Sequence, residues 1–283
     1  MDYSIIHLNN LNYPKQLLSI KNPPEKLYVI GNKTLLQSSN IIAIVGSRDC
    51  TEYGRQQAFI FSKELSCKNY TIISGLAIGI DSAAHLGALK GKGNTIAVIG
   101  SGFNNIYPEE NLWLFNYILQ NNGCIISEYP PNTKISMKNF PKRNRIISGI
   151  ANSVTVIEAA FRSGSIITAH QAIDLNKKVF CLPSNINSKN SSGTNTLIRN
   201  GAKLVFKPSH IIEEIDSNNL KQFKTIPKAY EEIYKLLLPG PLSINTLSKK
   251  VNKDLSSLQS TLTMMELEEY LEQLPGNKFK IKE

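Results

Sequence analysis

Ile41-Ile42-Ala43-Ile44-Val45-Gly46-Ser47-Arg48 is the stretch on which the fold turns. Five apolar residues, four of them β-branched, run without a polar break and stop in Gly-Ser. A strand wetted on one face alternates apolar and polar residues. An unbroken run belongs to a strand covered on both faces, as in a parallel sheet under helices. Outward from it, similar runs recur at Thr71–Ser74, Thr95–Ile99, Cys124–Ser127, Val154–Ile157, Val179–Leu182 and Leu204–Phe206. Between the runs, residues 53–68, 80–90, 109–121, 143–151 and 165–175 carry helical spacing. That alternation predicts an α/β, Rossmann-like, doubly wound and mostly parallel sheet over residues 41–215. Residues 1–40, with Leu27–Gly31 as one more strand, read as an extension of the same domain.

Residues 216–226 are polar and poorly periodic, so a linker is expected there. Residues 227–283 hold three short helical patterns, at 228–238, 243–250 and 255–271, with Ser243 and Asp254 placed as N-caps. Leu255, Leu258, Leu262 and Met265 make one apolar stripe, and Gln273–Lys280 reads as a hairpin turning at Gly276-Asn277. Three helices and a hairpin predict a small C-terminal winged-helix domain.

The 283 residues include 32 Lys and Arg against 22 Asp and Glu, a net charge of +10. Residues 226–283 hold eight of each sign, so the whole excess lies in 1–225. Such an excess favours a polyanionic partner over the plainer reading, a solubilising lysine surface. Cys50, Cys67, Cys124 and Cys181 stand apart, and the four histidines are scattered. Neither a disulfide framework nor metal-ligand spacing is visible. With no leader-like N-terminus and no bilayer-length apolar run, a cytoplasmic protein without membrane contact is expected.

Three strand ends stop in glycine: Gly46-Ser47-Arg48, Ser74 to Asp81 with Gly75 and Gly79, and Gly100-Ser101-Gly102. Glycine there admits backbone N–H groups to a phosphate, or merely allows a tight strand-to-helix turn. Three in a row, beside Arg48, favour an anion. Asn105 replaces the third glycine of a dinucleotide fingerprint and no P-loop is present, so no cofactor is expected. Lys142-Arg143-Asn144-Arg145 packs three cations into four residues, with no acid between Glu128 and Glu158. Like charges repel, so this cluster is expected to meet an anion. Ser163-Gly164-Ser165 suits a phosphate cradle at a helix start, or a simple N-cap. For catalysis, Glu128 and Glu158 are the candidate bases, and Glu158 is the one that serves a rival reading, a nucleotide-processing enzyme. Asp81 and His85 share a helix face, but His85 lies in an alanine-rich packing segment. No nucleophile elbow is present, and no catalytic residue is expected. The third helix of the winged unit lacks basic residues between Lys253 and Lys278, which suits protein contact better than DNA.

These residues resemble the DprA/Smf family of bacterial DNA-processing proteins. The likeness runs from Tyr13-Pro14 to the C-terminus. It is carried by Gly46-Ser47-Arg48 with Tyr53-Gly54, Ser74–Asp81 with Ala84-His85, Tyr107-Pro108-Glu109, Ser127-Glu128-Tyr129-Pro130, Phe140–Arg145, Ser163-Gly164-Ser165 and Gly193–Ile198. Met265–Glu268 and Leu274-Pro275-Gly276 resemble the family's winged helix. The resemblance implies a core that binds single-stranded DNA, dimerises, and loads a RecA-type recombinase on incoming DNA in natural transformation. It also implies that Arg48, residues 142–145 and Ser163-Gly164-Ser165 line the DNA pocket. His170 stands where arginine is usual, Ser184-Asn185 replaces a Gly-Asn-like turn, and Ile78 occupies a position often basic. The helical domain that precedes Tyr-Pro in many members has no counterpart here. The lost cations predict an affinity below the family norm.

Overall fold

Nine strands form one sheet in a computed structural model that describes residues 2–222, 227–251, 253–268 and 270–282. They are β1 (Ser4–His7), β2 (Lys26–Gly31), β3 (Ile41–Val45), β4 (Thr71–Ser74), β5 (Thr95–Ile99), β6 (Cys124–Ser127), β7 (Ser153–Val156), β8 (Lys178–Cys181) and β9 (Lys203–Leu204). Their spatial order is β1-β2-β6-β5-β4-β3-β7-β8-β9. From β6 across to β9 all neighbours are parallel, while β1 and β2 close one edge antiparallel. The helices are α1 (Glu52–Cys67), α2 (Ile80–Lys90), α3 (Leu112–Gln120), α4 (Asn139–Ile150), α5 (Gly164–Asp174), α6 (Ser192–Arg199) and α7 (Pro208–Gln222).

All five residues of β3 are buried. Successive side chains point to opposite faces, so Ala43 and Val45 join a core with Ile146, Ile147 and Ile150 of α4 and Ala169 and Ala172 of α5. Ile42 and Ile44 join the other, with Phe61 and Leu65 of α1 and Ala83, Ala84 and Ala88 of α2. Each large side chain removed from water in this way stabilises by about 1.5–3 kcal/mol. At the end of α4, Lys177 Nζ donates to the carbonyls of Ser148 (2.9 Å), Gly149 (2.5 Å) and Ala151 (2.7 Å). Burial pulls this ammonium down to about 8. Lys177 is therefore a C-cap of α4 supplied from a distant segment.

The chain runs outward from β3 through β4 and β5 to β6, then returns to lay β7 on the other side of β3. Crossovers leave the sheet on opposite faces at such a reversal, and a crevice opens at the carboxyl ends of the two strands. Here that means the ends of β3 and β7, whose pairing runs from Ile42↔Ser153 to Val45↔Val156.

Several expectations shift. β7 and β8 begin and end one residue early, and the last strand is only Lys203–Leu204. β1, α6 and α7 have no counterpart in the sequence reading. α7 runs to Gln222, so residues 216–222 of the expected linker are helical, while 223–226 lie outside the described residues.

The chain divides into Met1–Ile215 and Asp216–Glu283. The second unit has α8 (Glu231–Leu237), β10 (Leu242–Ser243), α9 (Ile244–Val251), α10 (Leu255–Leu267), β11 (Leu271–Leu274) and β12 (Lys278–Ile281). Its strands pair in the order β10-β12-β11, the winged-helix arrangement. Asp254 caps α10 by accepting from Ser257 N at 2.9 Å, and the hairpin turns through Gly276 and Asn277, both with positive φ. Leu258, Leu262 and Met265 enter its core, but Leu255 is half exposed, because it starts the helix beyond the packed turns. No helix among the described residues is long and apolar enough to cross a membrane.

Candidate nucleic-acid interface

At the reversal point lies a cleft of about 480 Å³. Val45-Gly46-Ser47 leaves β3 to form its floor, α4 and the start of α5 form its walls, and Arg48, Lys189 and Asn190 reach its rim. Gly46 is required by packing: a Cβ there would sit 2.6 Å from Ile80 Cγ1 and 2.9 Å from Glu158 O. Ser47 N donates to Glu158 O at 2.8 Å, which locks the ends of β3 and β7 together. Ser163 caps α5, its Oγ lying 3.4 Å from Ser165 N and 2.7 Å from Ser165 Oγ. Gly164 is open, with only Asn144 Nδ2 within 4 Å of where a Cβ would stand. An anion can therefore approach the start of α5 at Gly164, where the helix dipole adds positive potential. Asn144 Nδ2 donates to Gly164 O at 3.1 Å and fixes that loop against α4. Arg48 is exposed, with its guanidinium 5.3 Å from the Phe140 ring centroid. This cation–π contact holds the charge over the cleft.

Eight of the twelve residues singled out in the sequence line this cleft: Gly46, Ser47, Arg48, Arg143, Asn144, Ser163, Gly164 and Ser165. Gly75, Gly79, Lys142 and Arg145 do not. Gly75 is buried, its N–H is taken by Asp81 Oδ2 at 3.1 Å, and a Cβ would lie 2.6 Å from both Arg143 Nη2 and Asp81 Oδ2. Gly79, at φ 81°, has no room either, since a Cβ would meet Ser47 O at 2.5 Å. Gly100 and Gly102 are covered by Phe140 and by the carbonyls of Pro130 and Pro131. At the second and third strand ends, then, glycine serves packing.

The basic cluster is divided by its helix. Neighbours on an α-helix point about 100° apart, and residues three apart share a face. Arg143 turns inward and is 4% exposed. Its Nη1 donates to Gly75 O at 2.6 Å and to Val98 O, and its Nε to Asn144 Oδ1 at 3.2 Å. Burial pulls it down to about 10. Burial also pushes the Asp81 carboxyl up, with the Arg143 charge opposing. Arg145 pairs with Glu128 at 2.5 Å, and it and Lys142 line a different cavity. Of the three cations, none is an unencumbered charge in the cleft.

Glu158 faces away from the cleft. Its Oε2 accepts from Thr51 N at 2.9 Å and its Oε1 from Thr51 Oγ1 at 2.5 Å, so it braces the N-cap of α1. Gly54 makes room for it: a Cβ there would lie 2.4 Å from Glu158 Cδ. Glu158→Gln is expected to lower the unfolding free energy by about 1–3 kcal/mol, because its amide turns a donor against Thr51. A urea midpoint equal to that of the wild type would contradict this placement. His85 is fully buried, with Nδ1 2.7 Å from Thr95 Oγ1, whose hydroxyl donates to Ile72 O. No group of His, Cys, Asp or Glu suited to a metal occurs among the described residues. Lys189, from the acid-free and lysine-rich stretch between Leu175 and Ile212, also lines the cleft, as do Met137, Thr168 and Asn190, which no sequence signal marks because they come from separate segments.

Residues 4–216 match the family model of DNA recombination-mediator protein A, and residues 225–277 match that of the DprA winged helix domain. The chain is similar to the DNA processing protein DprA of Bacillus subtilis, 41% identical over 216 residues, covering 76% of this chain and 72% of that one. It is equally similar to Protein Smf of Escherichia coli, 41% over 214 residues, but spans only 57% of that relative's length. Among solved structures, DNA processing protein A of Helicobacter pylori superposes with a TM-score of 0.70 at 32% identity, covering 77% of this chain and 97% of that chain. That structure is described by its single-stranded DNA binding mode.

Proposed function

The chain belongs to the DprA family of DNA-processing proteins, and on that premise we propose that it is a sequence-independent single-stranded DNA-binding protein that loads a RecA-type recombinase on incoming DNA in natural transformation. The observation that carries the reading is the cleft at the strand-order reversal, where Arg48, Ser47 and the open start of α5 converge. Those groups suit phosphate, which every nucleotide carries, so the grip needs no particular base. Gly46, Ser47, Arg48, Asn144 and Ser163 to Ser165 meet the strand, and Arg143 positions the loops behind them. The single-strand preference comes from the family relationship and from the H. pylori neighbour.

Binding without turnover is supported by the surroundings of the carboxylates in and near the cleft. Glu158 is occupied by Thr51, Asp81 is buried, and the exposed Asp49 is paired with Lys189. A nucleotide-processing reaction would lack a free general base there. Homodimer formation finds support in the exposed Leu204 and Phe206 at the β9 edge of the sheet. In the winged unit, the exposed face of α10 offers Gln259, Ser260 and Thr263, which suits a protein partner. We place the protein in the cytoplasm, where the recombinase acts.

Fluorescence anisotropy with labelled oligo-dT tests the grip. Affinity is expected to fall steeply between about 50 and 200 mM salt. Arg48→Ala should weaken binding about tenfold and reduce the log–log salt slope by roughly 0.7. Wild-type affinity in Arg48→Ala would remove the cleft from the binding site. Turnover of nucleoside monophosphates or NAD that is lost in Glu158→Gln would replace the reading with an enzyme.

A further inference from the structure

Helix α4 has a second face. On it Lys142 and Arg145 border another cavity, of about 800 Å³, with Ile20, Glu128, Ile167 and Gln171. Pro141 is a wall of both cavities, so they adjoin across the first turn of α4. The second cavity mixes charge: Lys21, Lys142 and Arg145 against Glu128 and Asp174. Acids among the cations make it a poor phosphate site and a better one for a neutral group with its own donors and acceptors.

Its unmatched atoms say which group. Arg145 Nη2 and Glu128 Oε2 satisfy each other. Glu128 Oε1, Gln171 Oε1 and Arg145 Nη1 are buried without a hydrogen-bond partner among the described residues. Two acceptors and one donor are thus left over, and Gln171 can turn its carbonyl toward the cavity without disturbing the Arg145–Glu128 pair. The Watson–Crick edge of guanine offers the complement, donors at N1 and N2 and an acceptor at O6. Cytosine and thymine offer one donor and two acceptors, and adenine one of each. Ile20, Ile167 and Leu175 supply apolar surface for the faces of a base.

We propose that this cavity is a guanine subsite for the strand held in the cleft, which reaches it by passing over Pro141. The inference rests on the DNA-binding function proposed above and refines it. Phosphates secure the strand at any sequence, and the subsite adds a preference where a guanine falls in register.

Anisotropy of the full chain tests it with oligo-dT, the same oligonucleotide carrying isolated guanines, and one carrying hypoxanthine, which lacks the N2 amino group. The guanine oligonucleotide should bind about tenfold tighter than oligo-dT. Hypoxanthine should lose part of that gain on the wild-type protein, a readout that needs no variant. In Gln171→Leu, with its fold checked by circular dichroism, the guanine advantage should shrink. Binding of oligo-dT with no guanine advantage overturns the subsite alone. So does an advantage untouched by both hypoxanthine and Gln171→Leu. Absence of binding to every oligonucleotide overturns the proposed function as well.

Discussion

Arg143→Met is expected to lower the free energy of unfolding by about 2–5 kcal/mol, the scale of leaving two buried carbonyls without their charged donor. The guanidinium is 4% exposed and its donors hold the carbonyls of Gly75 and Val98. Methionine fills much of the volume but leaves those oxygens unpaired and the buried Asp81 facing an apolar chain. Urea denaturation monitors this directly: the midpoint should drop with the slope unchanged. Arg48→Ala, on an exposed side chain, should stay within about 0.5 kcal/mol of wild type. An Arg143→Met protein as stable as wild type would show that the guanidinium does not tie β4, β5 and α4 together. The contrast bears on any DNA-binding assay. Weak binding by an Arg143 variant reports a disturbed scaffold, whereas weak binding by an Arg48 variant reports a lost contact.

Acid sensitivity is the second large effect expected, and His85 is its source. Burial pushes this imidazole down to about 3, from an ordinary value of 6.5. Below pH 6.5 the unfolded chain takes up a proton that the folded one refuses. Stability is therefore lost as pH falls from 6.5 toward 3, at up to about 1.4 kcal/mol per pH unit. Carboxylates titrate in the same range, so the comparison is made against His85→Gln, which has no imidazole. Between pH 6.5 and 5 the wild type should lose roughly 2 kcal/mol more than the variant. Parallel pH profiles would show that His85 takes a proton without unfolding.

The family's motifs and the strand pattern were legible for one reason: both are local. β3, β4, β5 and β6 fall where unbroken apolar runs place them, because strands buried on both faces have no room for polar side chains. Elements with weak local signals escaped. β1 buries only Ile6 of its four residues, and β10 is two residues long. α6 opens on Ser-Gly-Thr-Asn, residues that favour caps and turns over helix interiors. The second half of α7 is polar and carries no helical apolar spacing that would mark it in the sequence.

The candidate site divides along the same line. By itself the sequence determined the sheet, the winged unit, the basic excess of residues 1–225, and a cluster of cations on one helix. Gly46, Gly75, Gly79 and Gly100 all end strands in the same way, yet what a Cβ would strike depends on chain segments far away. Only the tertiary structure decided that the first and the Ser163 loop open into a cleft while the others are packed shut. Likewise Lys142, Arg143 and Arg145 read as one patch, and the turn of α4 sends them to different surroundings: a cavity rim, the core beside Asp81, and Glu128. Local chemistry chooses the residue types and their periodicity. Which of those residues share a space is set by the order in which β3 and β7 are laid side by side, and that order is a property of the folded chain.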